Sequence, residues 1–178
     1  MKITVVRHGQ TNYNVVGLHN ADPTVDVFLT KVGISEAKQL AEQFKNEPFD
    51  VIFVSELPRT KQTAGYINQF HNLPIIADKR LNDINSGCDG QKAAEFRAER
   101  DASPDSFTYH REGFESSEDV YNRTADFLKD IKKKSYKNVL VVTSEHNFRH
   151  FRNIIDHLDP RISLSQPVPN ATALTREI

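Results

Sequence analysis

Two arginines and two histidines stand just beyond three short apolar runs in this chain of 178 residues. Ile3 to Val6 runs into Arg7, His8 and Gly9. Val51 to Val54 is followed by Pro58 and Arg59, and Val139 to Val142 by Thr143 and then His146. Arginine's planar fork grips phosphate oxygens in pairs, which a lysine point charge does not. An imidazole attacks phosphorus when it is neutral, and nearby arginines favour that form. The set therefore suits a phosphate dianion with one imidazole left as nucleophile. Arg59 falls in the first turn of a helix, where a cation opposes the helix dipole. That unfavourable place argues for an anionic ligand. Glu145 is expected to point away from such a site, because successive strand residues alternate faces.

These groups can meet only if the three runs are neighbouring strands, since ligands of open α/β sheets bind beyond the carboxyl ends of the strands. The runs are short, β-branched and not alternating, as strands buried on both faces are. A fourth short strand is expected at Pro74 to Ala77 and a last one, at an edge, over Ala171 to Ile178. Helical periodicity lies between them. Thr30 is a plausible N-cap for a helix with Ile34, Ala37, Leu40, Ala41 and Phe44 on one face. Pro58 opens a second, with Ala64, Ile67 and Phe70. A weakly amphipathic helix is expected over Gln91 to Arg100. Ser116-x-x-Asp119 reads as a capping box ahead of Val120, Thr124, Phe127, Leu128 and Ile131. Phe148, Phe151, Ile155 and Leu158 mark a further helix. The segment up to Phe28 and the stretch bracketed by Pro160, Pro167 and Pro169 read as loops, and Gly9 as a turn allowing close approach to a ligand. Strands alternating with helices predict an α/β, three-layer α/β/α sandwich with a mostly parallel central sheet.

The length fits one domain, residues 1–178, with no repeat or linker. A net charge of -1 gives no reason to expect nucleic acid or a membrane surface as partner. No apolar run spans a bilayer and no signal pattern opens the chain. One cysteine, Cys88, excludes an internal disulfide and fits a reducing compartment, so a cytoplasmic protein is expected.

The order of the motifs carries more. Arg7-His8-Gly9-Gln10-Thr11 with Asn14 comes first, then Leu29-Thr30 with Gly33 and Ala37. Ser55 to Ala64 follows, then Arg80 to Ile84 with Gly87 and Gly90. Gly113 to Ser116 with Asp119 and Arg123, Val141 to His146, and Pro169 to Thr172 complete the series. Over nearly the whole chain these blocks resemble the histidine phosphatase superfamily, in its phosphoglycerate mutase-like, Arg-His-Gly branch. The resemblance implies a phosphoglycerate mutase-like fold and a metal-independent phosphomonoesterase of the histidine acid phosphatase type, acting on a small-molecule phosphomonoester without a cofactor. His8 would become a phosphohistidine. Arg7, Arg59 and His146 would bind the phosphoryl oxygens, and Asn14 would hold phosphate or substrate.

Two positions depart from the pattern. Asp83 stands where the family usually has a glutamate proton donor. It is one methylene shorter and has a lower reference pKa, about 3.9 against 4.3, so it needs a larger upward shift to hold its proton. Glu115 and Asp89 are reserve acids. Asn147 follows the second histidine where glycine is usual. Asparagine tolerates left-handed dihedrals, so a turn with its N–H facing the phosphate is expected. The other histidines, including His19 and His150, read as surface residues or as residues behind the site, and no metal is expected. Lys92, Arg97 and Arg111 are cations that could meet a second acidic group on the substrate. The alternatives are phosphoglycerate mutase-type phosphoryl transfer, disfavoured by the short chain, and a catalytically impaired phosphate-binding module. Substrate and oligomeric state are not legible.

Overall fold

A computed structural model describes residues 1–178. The elements run β1 (Lys2–Arg7), α1 (Asn12–Val16), α2 (Lys31–Phe44), β2 (Val51–Val54), α3 (Pro58–Asn68), β3 (Ile75–Ala77), α4 (Ala93–Asp101), α5 (Ser117–Ile131), β4 (Asn138–Thr143), α6 (Glu145–Ile155), α7 (Pro160–Ser163) and β5 (Ala173–Glu177). The strands form one sheet in the order β3-β2-β4-β1-β5, in which only β5 is antiparallel. This is the mostly parallel α/β sandwich that the alternation of strands and helices implied.

Side-chain parity builds the two outer layers. Val139 and Val141 of β4 join Ile3, Val5 and Phe53 against Phe127, Leu128, Phe148 and Phe151 of α5 and α6. Leu140 and Val142 face the other way, with Val6, Ile52 and Val54, onto Leu40, Phe44, Ala64 and Ile67 of α2 and α3. Both faces of β1, β2 and β4 are thus covered, which is why their sequences do not alternate. The outer strand β3 is exposed along its length.

The caps form as expected. The Thr30 hydroxyl accepts from the Gly33 N–H at 3.1 Å, and Ser116 and Asp119 cap each other's backbone at 3.1 and 2.8 Å. Several local expectations are corrected. A short helix, α1, interrupts the first loop, because Thr11 and Asn14 form a second capping box. Another, α7, opens the proline-bracketed stretch, capped by Asp159. Phe70 and Leu158 continue the helical period but lie past the ends of α3 and α6, 49% and 47% exposed. Gly9 also serves the packing of the chain on itself. A Cβ there would sit 2.5 Å from the Gly33 carbonyl oxygen, and one at Gly33 would sit 2.0 Å from that of Gln10. The turn after β1 and the start of α2 are pressed together. No helix is long and apolar enough to cross a membrane.

Candidate active site

Because β2, β4 and β1 are adjacent and parallel, their carboxyl ends open at one place. His8, Arg59 and His146 meet there in a cleft of about 300 Å³, with Arg7, Asn14 and Asp83 also in its wall. His8 is 2% exposed. Its Nδ1 lies 2.8 Å from the Gly9 carbonyl oxygen, and the Arg59 Nε–H donates to its Nε2 at 3.1 Å. An N–H can only donate to a carbonyl, so Nδ1 carries the proton and Nε2 the lone pair. Burial, then the charges of Arg59 and Arg7, hold the His8 pKa well below its ordinary value. The imidazole is neutral with its lone pair turned towards the arginine.

Arg59, also buried, fans its other donors to the Asn20 side-chain and backbone oxygens at 2.8 and 2.9 Å, and to Asp83 and Ser144 at 3.3 Å. Asp83 lies between Arg59 and the second histidine, its Oδ1 3.6 Å from His146 Nδ1. Burial alone would raise the Asp83 pKa, but the contact with His146 and the charges of His19, His146 and Arg59 outweigh it and keep the carboxyl ionised. His146 is pulled down by burial, with Asp83 acting against the shift. Arg59 adds its charge to those of the two histidines, with its guanidinium 3.3 Å from Asp83 Oδ2.

Unmet polar atoms gather in the same place. Arg7 Nε and His146 Nε2 are buried without any partner. The first N–H groups of α6 have none either, since no Ser144 side chain caps them. A buried unpaired donor is costly, and an anion satisfies several at once.

A model of the histidine phosphatase superfamily, branch 1, matches residues 3–176. The chain belongs to this superfamily. It is a phosphomonoesterase of branch 1. Phosphoserine phosphatase 1 of Hydrogenobacter thermophilus is 32% identical over 152 residues, 81% of this chain and 70% of that protein. The fold matches YhfR of Bacillus stearothermophilus at a TM-score of 0.86 and 23% identity, over 99% of this chain and 91% of that one. The α-ribazole phosphatase of Shigella flexneri gives 0.84 and 21%, over 100% and 91%.

As a histidine phosphatase the chain keeps most of the expected site together and corrects parts of it. Glu145 does not point away. It lines the cleft, lies 3.2 Å from Arg7 Nη1 and bonds Arg149. The strand rule fails because Glu145 already belongs to α6, where neighbours do not alternate. Arg7 also donates to the Val168 carbonyl. Asn147 is the second correction. It is helical, not left-handed, and its side chain turns away from the cleft to the Arg80 carbonyl at 3.0 Å and Thr124 Oγ1 at 3.3 Å. Only its uncapped N–H remains to face a ligand. Asn14 lines the cleft, but its Oδ1 is taken by the Thr11 N–H at 3.0 Å and by Asn170 at 3.1 Å.

Among the acids, Glu115 pairs with Arg123 at 2.8 Å, and Asp89 accepts the Ala21 and Asp22 N–H groups at 2.8 and 2.9 Å. Both line a neighbouring cleft that Asp83 shares. Glu145 is held by two arginines, and Asp83 is the other carboxylate in the cleft wall. Cys88 is buried beside Ile84, Phe96 and Val120, a packing residue as expected. His19, expected at the surface or behind the site, is in the cleft wall. So are Asn20, which holds Arg59, and Asn170, whose amide donates to the His8 carbonyl at 3.2 Å. A lone asparagine in a loop carries no pattern that marks such a task. Asn170 at least sits in a recognisable block.

Proposed function

We propose that this enzyme hydrolyses a small phosphomonoester through a phosphohistidine at His8. The observation that supports this best is the Nε2 lone pair of a buried, neutral imidazole set between two arginines, near the unmet donors of Arg7 Nε and the start of α6. Nε2 attacks phosphorus and the bond to the leaving oxygen breaks. Arg7, Arg59 and His146 bind the phosphoryl oxygens, and Asn14 offers its Nδ2 from the rim. Arg59 must give up its bond to Nε2 for this, and a phosphoryl oxygen is the natural new acceptor. The leaving oxygen takes its proton from Asp83. His146, His19 and Arg59 hold that carboxyl ionised in the free enzyme, but an incoming phosphate dianion repels its charge and draws Arg59 away; both effects raise its pKa, and Asp83 takes up from water the proton it then gives to the leaving oxygen. Water then attacks phosphorus, the P–N bond breaks, and inorganic phosphate leaves with Nε2 restored. The 178 residues would work as one domain, in a reducing cytoplasm compatible with the lone Cys88, with neither nucleic acid nor membrane as partner.

The test is phosphate release from a panel of small phosphomonoesters with EDTA present, for wild type and His8→Ala. Phosphoserine belongs on the panel because the Hydrogenobacter relative is named for it. Metal-independent release, a trapped acid-labile phosphoenzyme and loss of both in His8→Ala are expected. Interconversion of phosphoglycerates without release of phosphate would point to a mutase, and phosphate binding without any phosphoenzyme to an impaired module.

A further inference from the structure

The cations of the cleft are not equivalent. Arg7 is matched by Glu145 and Arg59 by Asp83. Arg97, on α4, is exposed, lines the same cleft and makes neither ion pair nor hydrogen bond. The three other cations of this segment are engaged elsewhere, Arg100 being buried and paired with Asp101 at 2.7 Å. Lys92 Nζ donates to the Val16 carbonyl at 2.7 Å, and Arg111 forms a two-pronged pair with Glu99 at 3.0 and 2.8 Å. Arg97 is the cation at the mouth of the cleft left free for a ligand.

The backbone that carries it is tied to the rest of the site. Phe96, next to it, is buried against Ile84, Cys88 and Val120. The approach to α4 is bonded to the loop after α1 by Ala93 N–H to the Gly17 carbonyl at 3.0 Å and His19 N–H to the Gln91 carbonyl at 2.9 Å. That loop leads back to Asn20, which grips Arg59. A cleft of about 300 Å³ admits only a small ester, so a group that reaches Arg97 lies a few bonds from the phosphate.

We infer that Arg97 reads a carboxylate on the substrate, making the preferred ester a small phosphorylated carboxylic acid. The inference rests on the phosphatase reading of the same cleft. Arg97 has the fork that fits a carboxylate, and the charge it presents is uncompensated within the protein. It would act as a specificity residue and take no part in bond breaking.

Two matched pairs of esters differ chiefly in that carboxylate: phosphoserine against phosphoethanolamine, and 3-phosphoglycerate against glycerol 3-phosphate. In wild type the carboxylated member should have the higher kcat/KM in each pair. Arg97→Gln should raise KM for that member on the order of tenfold, as for one lost charge-assisted bond, with kcat little changed. The ratio within each pair should fall towards one. Arg97→Lys should recover part of it, because charge is kept and the fork lost. Equal effects of Arg97→Gln on both members, or no effect on either, would overturn the inference. Calorimetric binding of the four esters to the His8→Ala protein makes the same comparison without turnover. Absent turnover in wild type would refute the phosphatase reading alone, whereas equal affinities within both pairs would refute the role of Arg97.

Discussion

The inner wall of the cleft and its rim are built differently. The inner wall comes from strand ends and helix starts that the core fixes, and His8, Arg59 and Asp83 are held there by bonds to one another. The rim, from Gly87 to Gly113, carries its long charged groups at the surface except for Arg100, and α4 buries little beyond Phe96 and that arginine. Chemistry needs fixed distances, so it sits where packing sets them. Selection among esters needs only a reachable charge, so it can sit on a peripheral helix. Perturbing the inner wall should change rate and stability together, and removing an exposed charge from the rim should change only which ester is preferred.

The largest effect is expected at Arg59. Arg59→Ala should lower kcat/KM by roughly 10²–10³, about 3–4 kcal/mol, as for loss of a buried oxyanion donor. It also leaves Asp83 without its charge partner, so stability should fall as well. Arg59→Lys keeps the charge and should keep the fold, yet it loses the fork that spans His8, Asn20 and Asp83. Full steady-state activity in Arg59→Lys would break the claim that geometry, not charge alone, organises the inner wall. Asp83→Asn sharpens it further. Esters with poor leaving groups should slow far more than p-nitrophenyl phosphate, which needs little protonation. Equal slowing of both would remove Asp83 from proton transfer.

Next comes Gly33. A Cβ there would lie 2.0 Å from the Gln10 carbonyl oxygen, backbone that cannot swing aside. Gly33→Ala should cost about 1–3 kcal/mol in urea unfolding, as overpacking does. It should also lower activity, because the displaced turn carries His8. Gly65 offers the control, since nothing lies within 4 Å of a Cβ there and it sits in α3. Gly65→Ala should leave stability unchanged or raise it by up to about 1 kcal/mol.

The two regions also differ in how far the sequence exposes them. β1, β2 and β4 are legible because burial on both faces leaves unbroken apolar runs, and the residues after such a run must lie at the sheet's open end. That placement marks His8, Arg59 and His146 without help from any resemblance. Glu145 defeats the pattern because the last strand residue and first helix residue cannot be told apart by it, and facing reverses at that boundary. Asn147 defeats the expectation that a glycine's left-handed conformation survives its replacement. The helix simply continues, with asparagine bonding across to α5 and to the backbone at Arg80. Asn20, Asn170 and the freedom of Arg97 are invisible for another reason. Their tasks depend on loops and on a marginal helix whose positions are set by long-range bonds, and spacing does not encode those.

A smaller effect should appear in the pH dependence of stability. His150 is fully buried on α6, its Nε2 3.0 Å from Ser117 Oγ, and burial, then the charges of His146, Arg123 and Arg149, push its pKa down to about 3. In the unfolded chain it should titrate near 6.5. Between those values the unfolded state holds a proton that the folded state does not, so stability rises with pH. The contribution is complete above about pH 6.5 and is lost as pH falls towards 3. His8 and His146 act in the same direction. Each buried imidazole contributes up to about 1.4 kcal/mol per pH unit in this window. His150→Gln keeps a polar group near Ser117 but cannot titrate. Urea unfolding between pH 4.5 and 7 should show a slope shallower by about that amount, and an unchanged slope would mean that His150 takes up its proton without unfolding.

The smallest effect on stability is expected at Arg97, and it separates the two regions most cleanly. Arg97 is exposed and bonds to nothing, so Arg97→Gln should shift unfolding free energy by less than about 0.5 kcal/mol. Its neighbour Phe96 is 4% exposed and joins α4 to Ile84, Cys88 and Val120. Phe96→Ala should cost about 3 kcal/mol if α4 unfolds with the rest of the protein. If α4 instead opens by itself, the global cost will be small, and amide exchange in Ala93–Asp101 will quicken while β1, β2 and β4 stay protected. In that case Phe96→Ala should mimic Arg97→Gln on the carboxylated esters, because a frayed α4 no longer holds the guanidinium at the mouth of the cleft. A protein with α4 locally open but substrate preference intact would show that the rim does not select.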